Sequence, residues 1–476
     1  MDRPIFSDRV PSQYRRAIYS SLLCAFSALI LIAGCAHYPV NEPLKAYDPH
    51  GGYRGKNVRV PGKSDDLLLF VTFSGGGTRA AALSYGVLEQ LARTEVVVEG
   101  KKRHLLDEVD VISAVSGGSF TAAYYGLFGE RIFEDFESRF LRKNVQGALA
   151  ARIFLNPVNW MRLLSPFFDR SDLAAEYYDE HIFQRGTFGD MVARKGPMVI
   201  VNATDMTYGT RVGFTQDMFD PICSDLGLFP VARAVAASSA VPVLMTPITV
   251  RNYAGSCNYR LPTAIERVLK EDNISERQFY LSNNIGPFLD SEKKPFLHLL
   301  DGGVSDNLGL RAILDRIVFS GDYWASIRDT HHRNVHKIVF ILVNAETQPD
   351  TSWDRVESPP AFAAMLESYS TIAIERYNAE TVALLKESLK QWTEQVRTGR
   401  CPEGRVSMEP GSCGDIRFYV IEVKFDALKN EDESLYLKRL PTSFNLSSEQ
   451  VDRLREAAHR ILSESKEFRG LVEDLR

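Results

Sequence analysis

The sequence lacks the compositional biases that would by themselves indicate a function. Its 56 Lys and Arg residues are balanced by 61 Asp and Glu residues, which leaves a net charge of −5 and gives no reason to expect a nucleic-acid partner. The nine histidines and six cysteines form no C-x-x-C or H-E-x-x-H motif, and no carboxylate cluster indicates calcium. No low-complexity tract is present. We therefore expect neither a metal nor another cofactor, and the function has to be sought in local motifs.

The N-terminal region contains a long uncharged run. Two adjacent arginines precede residues 17–34, which carry no charged side chain and end at Cys35. A positive region followed by an apolar run is typical of an export signal. Residues 32–35 (IAGC) resemble the lipobox of bacterial lipoproteins, whose cysteine is acylated. An uncleaved transmembrane anchor is the alternative, because about 18 residues is near the lower limit for crossing a bilayer.

These features predict a protein of the cell envelope. We expect a signal peptide over residues 1–34 and a fatty-acylated Cys35 that attaches the chain to a membrane surface. By analogy with lipoproteins, Ala36 favours the outer membrane, facing the periplasm, of a two-membrane bacterium. Residues 35–65 contain several prolines and glycines without periodicity, and we interpret them as a lipidated cysteine and flexible tether.

Export changes the interpretation of the remaining cysteines. Four of them would stay in the mature chain in an oxidising compartment, which favours disulfides over free thiols. Three pairings are possible, and the sequence alone does not choose between them. The pairing between near neighbours joins Cys223 to Cys257 and Cys401 to Cys413.

The pattern of apolar runs predicts an α/β fold. Short apolar runs alternate with longer amphipathic ones, which indicates a sheet of parallel strands covered by helices on both faces. We predict a three-layer α/β/α domain with a central, mainly parallel sheet over residues 66–345, and a smaller α/β extension over residues 346–476. The predicted strands include 67–73, 109–115, 198–201, 296–300, 338–343 and 416–425.

A glycine-rich loop follows the first predicted strand. In residues 74–79 (SGGGTR), the successive glycines Gly75, Gly76 and Gly77 can point several N–H groups into one concavity. Such a nest binds a phosphate or the oxyanion of an acyl-transfer transition state. A dinucleotide-binding motif lacks its third glycine here, and the absence of Gly-Lys-Ser/Thr excludes a P-loop.

A second loop has the sequence of a nucleophile elbow. In residues 114–119 (AVSGGS), small neighbours would allow a strained turn that exposes Ser116 at the start of a helix. The usual first glycine is replaced by Ala114. A serine that merely caps the helix is the alternative.

A third loop carries an aspartate. Asp301 ends a predicted strand and is followed by Gly302 and Gly303, so its carboxylate can reach the crevice where α/β folds bind ligands. An Asp-Gly turn without catalytic role is the alternative, and the nearby Asp306 is better explained as a helix-start residue. Because all three loops follow strands of the predicted parallel sheet, we expect them to meet at one edge.

The combination of motifs resembles the patatin-like phospholipase family. That family has a glycine-rich loop with a following basic residue, as in 75–79, and a G-x-S-x-G elbow, matched by 114–118 with the first glycine replaced. It also has a D-G-G/A loop, matched by 301–303, and an ASSA-x-P segment, matched by 237–242. The lipobox and residues 440–444 (LPTSF) are similar to a bacterial lipoprotein branch of the family.

The resemblance implies a lipid acyl hydrolase of the phospholipase A, lysophospholipase or esterase type. Ser116 would be the nucleophile and Asp301 its base, with the oxyanion held by the glycine loop and an acyl-enzyme hydrolysed by water. Arg79 would orient the glycine loop or pair with a substrate phosphate. No histidine adjoins a glycine-rich loop, and His298 is interpreted as a core histidine within a strand, which agrees with a dyad.

Two other function classes stay open. A catalytically inactive lipid-binding or structural envelope lipoprotein is favoured only by Ala114, and a nucleotide- or phosphate-binding protein lacks the remaining motif elements.

Residues 243–300 form either a cap over the active-site entrance or a surface insertion. In the C-terminal extension we expect a final helix over 447–462 capped by Ser448. Whether the extension as a whole packs on the main sheet or provides a docking surface for a partner stays open.

Overall fold

The computed structural model describes residues 36–242, 244–268, 276–328, 330, 332–349, 351–401 and 406–476. The signal peptide at 1–34 and the lipidation site Cys35 lie outside these residues and stay predictions. Within the described part of the chain, no helix combines the length and apolar character needed to cross a bilayer.

The described residues contain ten strands, and eight of them form one sheet in the order β10-β9-β1-β4-β5-β8-β7, with β6 paired to β5. The remaining two, β2 and β3, form a separate hairpin. The strands are β1 (Leu67–Phe73), β2 (Glu95–Val98), β3 (Lys101–His104), β4 (Val109–Val115), β5 (Met198–Asp205), β6 (Arg211–Gly213), β7 (Ile248–Arg251), β8 (Phe296–Asp301), β9 (Lys337–Asn344) and β10 (Arg417–Lys424).

Helices cover both faces of this sheet. They are α1 (Gly77–Arg93), α2 (Gly117–Phe128), α3 (Ile132–Phe136), α4 (Val145–Phe154), α5 (Pro157–Arg162), α6 (Arg170–Tyr178), α7 (Phe188–Arg194), α8 (Gln216–Phe219), α9 (Val231–Ser238), α10 (Thr263–Val268), α11 (Glu276–Asn283), α12 (Gly303–Asp306), α13 (Arg311–Ser320), α14 (Tyr323–Arg328), α15 (Phe362–Arg400), α16 (Glu431–Lys438), α17 (Ser448–Glu464) and α18 (Lys466–Asp474).

Strands β1 and β9 are apolar on both faces because each face packs on a different core. In β1, Leu69 and Val71 belong to one hydrophobic cluster, whereas Leu68 points into a second cluster on the opposite face. The first cluster includes side chains of α1, α2 and α17, and the second includes side chains of α13, α14 and α15. Burial on both sides explains the continuous apolar runs and confirms the three-layer prediction.

The sheet is mixed rather than wholly parallel, which corrects the expectation that all three loops follow parallel strands. Strands β10, β9, β1, β4 and β5 are parallel, but β8 runs antiparallel to β5, with Asp301 opposite Ala203. The last pair between β4 and β5 is Val115 with Asn202, and β8 pairs with β5 only from Ala203 to Asp205. Strand β8 therefore lies along the end of β5 that extends beyond β4, and its own end brings Asp301 back to the elbow.

The region after residue 345 is part of the same body. Strand β10 pairs with β9 over its full length, and α17 packs on α1 so closely that a Cβ on Gly86 would lie 2.7 Å from the carbonyl oxygen of Arg455. Ser447, not Ser448, caps α17, since its hydroxyl accepts from the N–H of Gln450 in a capping box. The extension thus completes the sheet and its core.

The segment after Ala36 is not a flexible tether, which corrects the interpretation of residues 35–65. Asn41 donates to the Ser224 hydroxyl at 2.7 Å, and Tyr53, with no exposed surface, donates to the carbonyl of Val199 at 2.9 Å. The Arg54 guanidinium pairs with the buried Asp220 at 2.6 Å. The prolines and glycines therefore direct an irregular segment across the domain surface, where specific hydrogen bonds fix it.

Both disulfides join the near neighbours: Cys223 to Cys257 and Cys401 to Cys413, with Cα–Cα distances of 5.5 and 5.2 Å. The first bridge lies beside the N-terminal segment, because the carbonyl of Cys223 accepts from Leu44 and that of Cys257 accepts from Tyr47. Within residues 243–300, which the sequence allows as either a cap or a surface insertion, 248–251 form strand β7 at the sheet edge.

Candidate active site

Ser116 occupies the sharp turn between β4 and α2. Its backbone has φ 49° and ψ −120°, a region that a residue with a side chain rarely adopts, and the residue is 5% exposed. The turn requires glycine on its far side, since a Cβ on Gly117 would lie 2.0 Å from the carbonyl oxygen of Gly77. This is the strained strand-to-helix geometry of a nucleophile elbow.

A hydroxyl from another part of the chain holds this turn. The N–H of Ser116 donates to Ser238 Oγ at 2.8 Å, and Ser238 in turn donates to the carbonyl of Asn202 at 2.6 Å. Ser119 Oγ lies 2.8 Å from the same hydroxyl and acts as a second donor to it. Ser238 belongs to the ASSAVP segment, which the sequence identified as a motif without assigning this role.

Asp301 lies against Ser116 at the end of β8. Its Oδ1 accepts from the N–H of Gly303 at 2.7 Å, and the Ser116 side chain lies close enough to the carboxyl to lower its pKa. The backbone is held as well: the N–H of Asp301 donates to Ala240 at 3.0 Å, and that of Gly302 to Ser238 at 3.1 Å. The elbow and the aspartate loop are thus fixed by the same segment.

Burial sets the protonation of Asp301. Loss of solvent raises the pKa of its carboxyl to about 6, against the opposing effect of the hydrogen bonds from Gly303 and Ser116. The carboxylate is ionised at neutral pH and is a stronger base than an exposed aspartate.

The glycine loop lies on the other side of Ser116. The N–H of Gly75 donates to the carbonyl of Asn307 at 3.0 Å, so it is not free to bind an oxyanion, and a Cβ at this position would lie 3.3 Å from that of Ser116. Gly76 and Gly77 have φ values of 134° and 58°, which only glycine adopts without strain. The absence of a side chain at Gly75 therefore leaves room next to Ser116. The backbone angles of Gly76 and Gly77 give the loop its concave shape.

The C-terminal region supports this loop. The N–H of Thr78 donates to the carbonyl of Ser443 at 2.9 Å, and a Cβ on Gly77 would lie 2.6 Å from the same oxygen. Phe444 packs next to Phe120 of α2, with ring centroids 5.2 Å apart. We name residues 440–444 the LPTSF strap. The sequence showed the motif but did not predict its contact with the glycine loop, which lies more than 360 positions earlier in the chain.

Arg79 is hydrogen-bonded to the LPTSF strap. It is 1% exposed, and its guanidinium donates to the carbonyls of Ala345 and Leu440 and to the hydroxyl of Thr442. Burial lowers the pKa of Arg79 to about 10, a value at which it is still charged at neutral pH, and the charge of Glu375 acts in the opposite direction. Of the two roles expected for Arg79, the structure supports orientation of the glycine loop.

The other titratable candidates have separate partners. Asp306 is buried and its Oδ2 accepts from the N–H of Arg311 at 2.8 Å, while burial raises its pKa to about 7. His298 is exposed on β8 and contacts Thr249, so its interpretation as a core histidine was wrong. Within the described residues, the His, Cys, Asp and Glu side chains form no group of three or more that could hold a metal ion.

Comparison with family models gives a match that covers the site. The family model described as patatin-like phospholipase matches residues 71–314, which is about half of the chain and includes the elbow, the glycine loop and Asp301. Comparison with curated protein sequences gives no match.

The chain also matches solved structures, at low sequence identity. Human GIVD cytosolic phospholipase A2 is 14% identical with a TM-score of 0.43, and the match covers 87% of this chain and 62% of that protein. VipD from Legionella pneumophila is 12% identical with a TM-score of 0.32, and the match covers 94% of this chain and 73% of that one. The chain therefore spans less than two thirds of the length of the human protein.

Proposed function

The chain belongs to the patatin-like phospholipase family, and from that premise we propose that it is a lipid acyl hydrolase with a Ser116–Asp301 dyad. The observation that carries the proposal is the position of a buried aspartate beside a serine on a strained elbow. A serine on a strained turn with a buried carboxylate beside it supports the roles of nucleophile and base.

The dyad would work in two half-reactions. Ser116 Oγ attacks the ester carbonyl as its proton passes to the Asp301 carboxylate, and the N–H groups of Gly76 and Gly77 stabilise the oxyanion. Collapse of the tetrahedral intermediate breaks the ester C–O bond, and the alcohol leaves with the proton from Asp301. Water then attacks the acyl-enzyme with Asp301 again as base, releasing the fatty acid.

The substrate we propose is an acyl ester of a lipid, as in phospholipids, lysophospholipids or simpler esters. Because Arg79 is engaged with backbone carbonyls, selection of a phosphate headgroup would have to come from other side chains. Ala114 has no exposed surface and is accommodated within β4 while Ser116 keeps its strained turn. The replaced glycine therefore gives no support to the inactive alternative.

The test compares wild type with Ser116→Ala and Asp301→Asn on p-nitrophenyl esters of increasing chain length and on phospholipid vesicles. Both variants should lose activity by about 10³-fold or more while staying folded. Asp306→Asn is the matched control, since it removes a neighbouring buried carboxylate that binds Arg311 instead of Ser116. Activity that survives Ser116→Ala would exclude this serine as the nucleophile.

We also propose that Cys35 is fatty-acylated after cleavage at residue 34 and that it anchors the chain in the outer membrane, facing the periplasm. Incorporation of labelled palmitate into wild type but not into Cys35→Ala would support this. An N-terminus that starts before residue 35 in the membrane-bound protein would instead establish the transmembrane anchor.

A further inference from the structure

Helices α4 and α5 and the turn after them expose a group of large apolar side chains. Leu155 and Leu164 are 77% and 71% exposed, and the segment from 145 to 168 contains two arginines and no acidic residue. Exposed apolar groups of this size in one segment are unusual on a soluble surface and indicate an interaction site. We call the group the apolar ridge; it consists of Phe154, Leu155, Val158, Trp160, Leu164 and Phe167.

The beginning of the described chain is attached to this ridge. The N–H of Tyr38 donates to the carbonyl of Phe167 at 2.7 Å, and the Ser165 hydroxyl donates to the carbonyl of Ala36 at 2.6 Å. The ring of His37 stacks on that of Phe167 with centroids 5.3 Å apart. Ala36 is therefore held at the ridge, with no free spacer between it and the folded body.

The sequence places a membrane at the same point. The uncharged run 17–34 and Cys35 immediately precede Ala36. Whether Cys35 is acylated or the run itself crosses the bilayer, the membrane surface begins within one or two residues of Ala36. Because the following segment is fixed to the domain, either anchor would bring the ridge itself to the bilayer.

The ridge is also connected to the active site. At the start of α4, the N–H of Gln146 donates to the carbonyl of Phe444 at 3.2 Å, next to the Ser443 carbonyl that supports the glycine loop. On the other side, the Ser171 hydroxyl donates to the carbonyl of Thr246 at 2.5 Å, in the same loop as Leu244, which is 68% exposed. That loop continues from the ASSAVP segment that fixes the dyad.

We propose that the apolar ridge, with Leu244, is an interfacial membrane-binding surface that inserts into the lipid headgroup region. Its composition fits this occupant, since a tryptophan and large aliphatic side chains accompanied by arginine are typical of segments that lie in a membrane interface. The surface would hold the LPTSF strap and the Leu244 loop at the lipid, so that acyl chains reach the dyad from the bilayer. Membrane binding by the ridge does not depend on the proposed hydrolase activity.

The direct test uses the full-length chain in phosphatidylcholine vesicles and measures the depth of Trp160 by quenching with lipids brominated in the acyl chain. The protein has four tryptophans, and Trp160→Phe isolates the contribution of the ridge. We expect brominated lipid to quench the wild-type emission clearly more than that of Trp160→Phe, and we expect the same in a Ser116→Ala background. No difference between these two proteins would overturn the proposal.

Phe279 provides a matched control, since its side chain and that of Trp160 are both 51% exposed. Phe279 lies on α11, which contacts α13 because Gln278 donates to the carbonyl of Val318. Helix α13 packs on one face of the sheet and α4 packs on the other, so Phe279 and the apolar ridge lie on opposite sides of the sheet. Phe279→Trp in the Trp160→Phe background should restore little quenching. A blue-shifted Trp160 that bromine does not quench would mean that a second copy or another protein covers the ridge, and the membrane proposal would be wrong.

The functional consequence is measured with Leu155→Asp/Leu164→Asp, two changes at exposed positions. The ratio of vesicle hydrolysis to hydrolysis of a water-soluble short-chain ester should fall about tenfold, because two apolar side chains no longer enter the interface. An unchanged ratio would contradict the proposal. Absence of activity in every protein, wild type included, would count against the hydrolase function, while the quenching experiment would still decide the surface.

Discussion

At the scale of the residue, the strained backbone of Ser116 depends on Ser238. The Ser116 N–H donates to Ser238 Oγ at 2.8 Å in a buried site. Ser238→Ala would leave that N–H without its acceptor, at a cost of about 1–3 kcal/mol in the free energy of unfolding. The elbow would relax, and we expect kcat to fall about ten- to a hundredfold with a smaller change in KM, measured on a soluble ester.

Ser239→Ala is the control for this change. The Ser239 hydroxyl donates to the carbonyl of Val235 in the preceding helix α9 at 2.7 Å and does not bind the elbow. We expect its kcat to stay within about twofold of wild type, since an i−4 side-chain bond of this kind contributes little. Equal losses in both variants would mean that the ASSAVP helix matters through general packing and that Ser238 has no specific role.

Asp301 should make the folded chain less stable above about pH 6 than near pH 4. Its pKa is raised to about 6 in the folded chain, so the folded state binds the proton more tightly than the unfolded state. The free energy of unfolding therefore decreases as pH rises through this pKa. Asp301→Asn removes the buried charge, and at pH 8 it should raise the free energy of unfolding by about 1–3 kcal/mol.

This gain should disappear near pH 4, where Asp301 is protonated in the folded wild type. Denaturant unfolding at the two pH values measures it. The same pKa predicts that kcat/KM of wild type falls below about pH 6 as the base is protonated. A gain of equal size at both pH values, or a loss at pH 8, would contradict the assignment of a buried charge to Asp301.

The sequence predicted the residues that a local motif specifies and missed those that act over long distances. The elbow around Ser116 and the loop at Asp301 have recognisable neighbours, and the structure brings both side chains together. The carbonyl of Asn307, which engages Gly75, and that of Ser443 are backbone groups, and no residue preference marks them. Such contacts depend on the tertiary fold, so single-sequence patterns do not contain them.

At the scale of the element, strand existence was predictable but strand direction was not. The apolar run at 296–301 is as clear as that at 67–73, yet β8 is antiparallel to its neighbour β5. One face of β8 is partly exposed, and the period of a strand's side chains is the same whichever way the strand runs. Direction is decided by the connection, and here β7 and the helices between Val250 and Phe296 determine the side from which β8 enters.

Helices α1 and α17 pack directly against each other between the family-matched region and the C-terminal region. A Cβ on Gly86 would lie 2.7 Å from the carbonyl oxygen of Arg455 and 2.9 Å from the Cβ of Ala458. Alanine is the better helix former by about 1 kcal/mol, but forcing the helices apart costs about 1–3 kcal/mol. We expect Gly86→Ala to lower the free energy of unfolding.

Gly470→Ala separates the two effects. Gly470 is in α18, and a Cβ there would meet no atom within 4 Å. This variant should be more stable than wild type by about 0.5–1 kcal/mol, because only the helix propensity changes. Chemical denaturation of both variants should give shifts of opposite sign; a stabilising Gly86→Ala would show that α1 and α17 are not packed this closely.

At the scale of the whole molecule, the N-terminal segment and the C-terminal region both belong to one body. The first looked like a tether because its composition is rich in proline and glycine, and only its hydrogen bonds to the domain show otherwise. The second contributes β10 to the sheet and the LPTSF strap to the glycine loop. Composition predicts whether a segment is irregular, but its packing depends on partners elsewhere in the chain.

A chain that ends at residue 345, shortly beyond the family-matched region, should therefore fail to fold. It would lose β10 and α17, whose apolar side chains cover β9 and α1. Burial of each such side chain contributes about 1.5–3 kcal/mol, so six of them outweigh a typical net stability of about 5–15 kcal/mol. The buried side chains lost include Ile421, Val423, Val451, Leu454, Ile461 and Leu462.

We expect this shortened chain to be insoluble or to lack a cooperative thermal transition, and to be inactive because Thr78 loses the carbonyl of Ser443. Co-expression of residues 346–476 as a separate polypeptide should restore soluble, active protein, since the missing contacts are non-covalent. Restoration distinguishes a structural requirement from a mere defect of expression. A soluble and active chain ending at residue 345 would show that the C-terminal region is dispensable and that the glycine loop keeps its shape without the LPTSF strap.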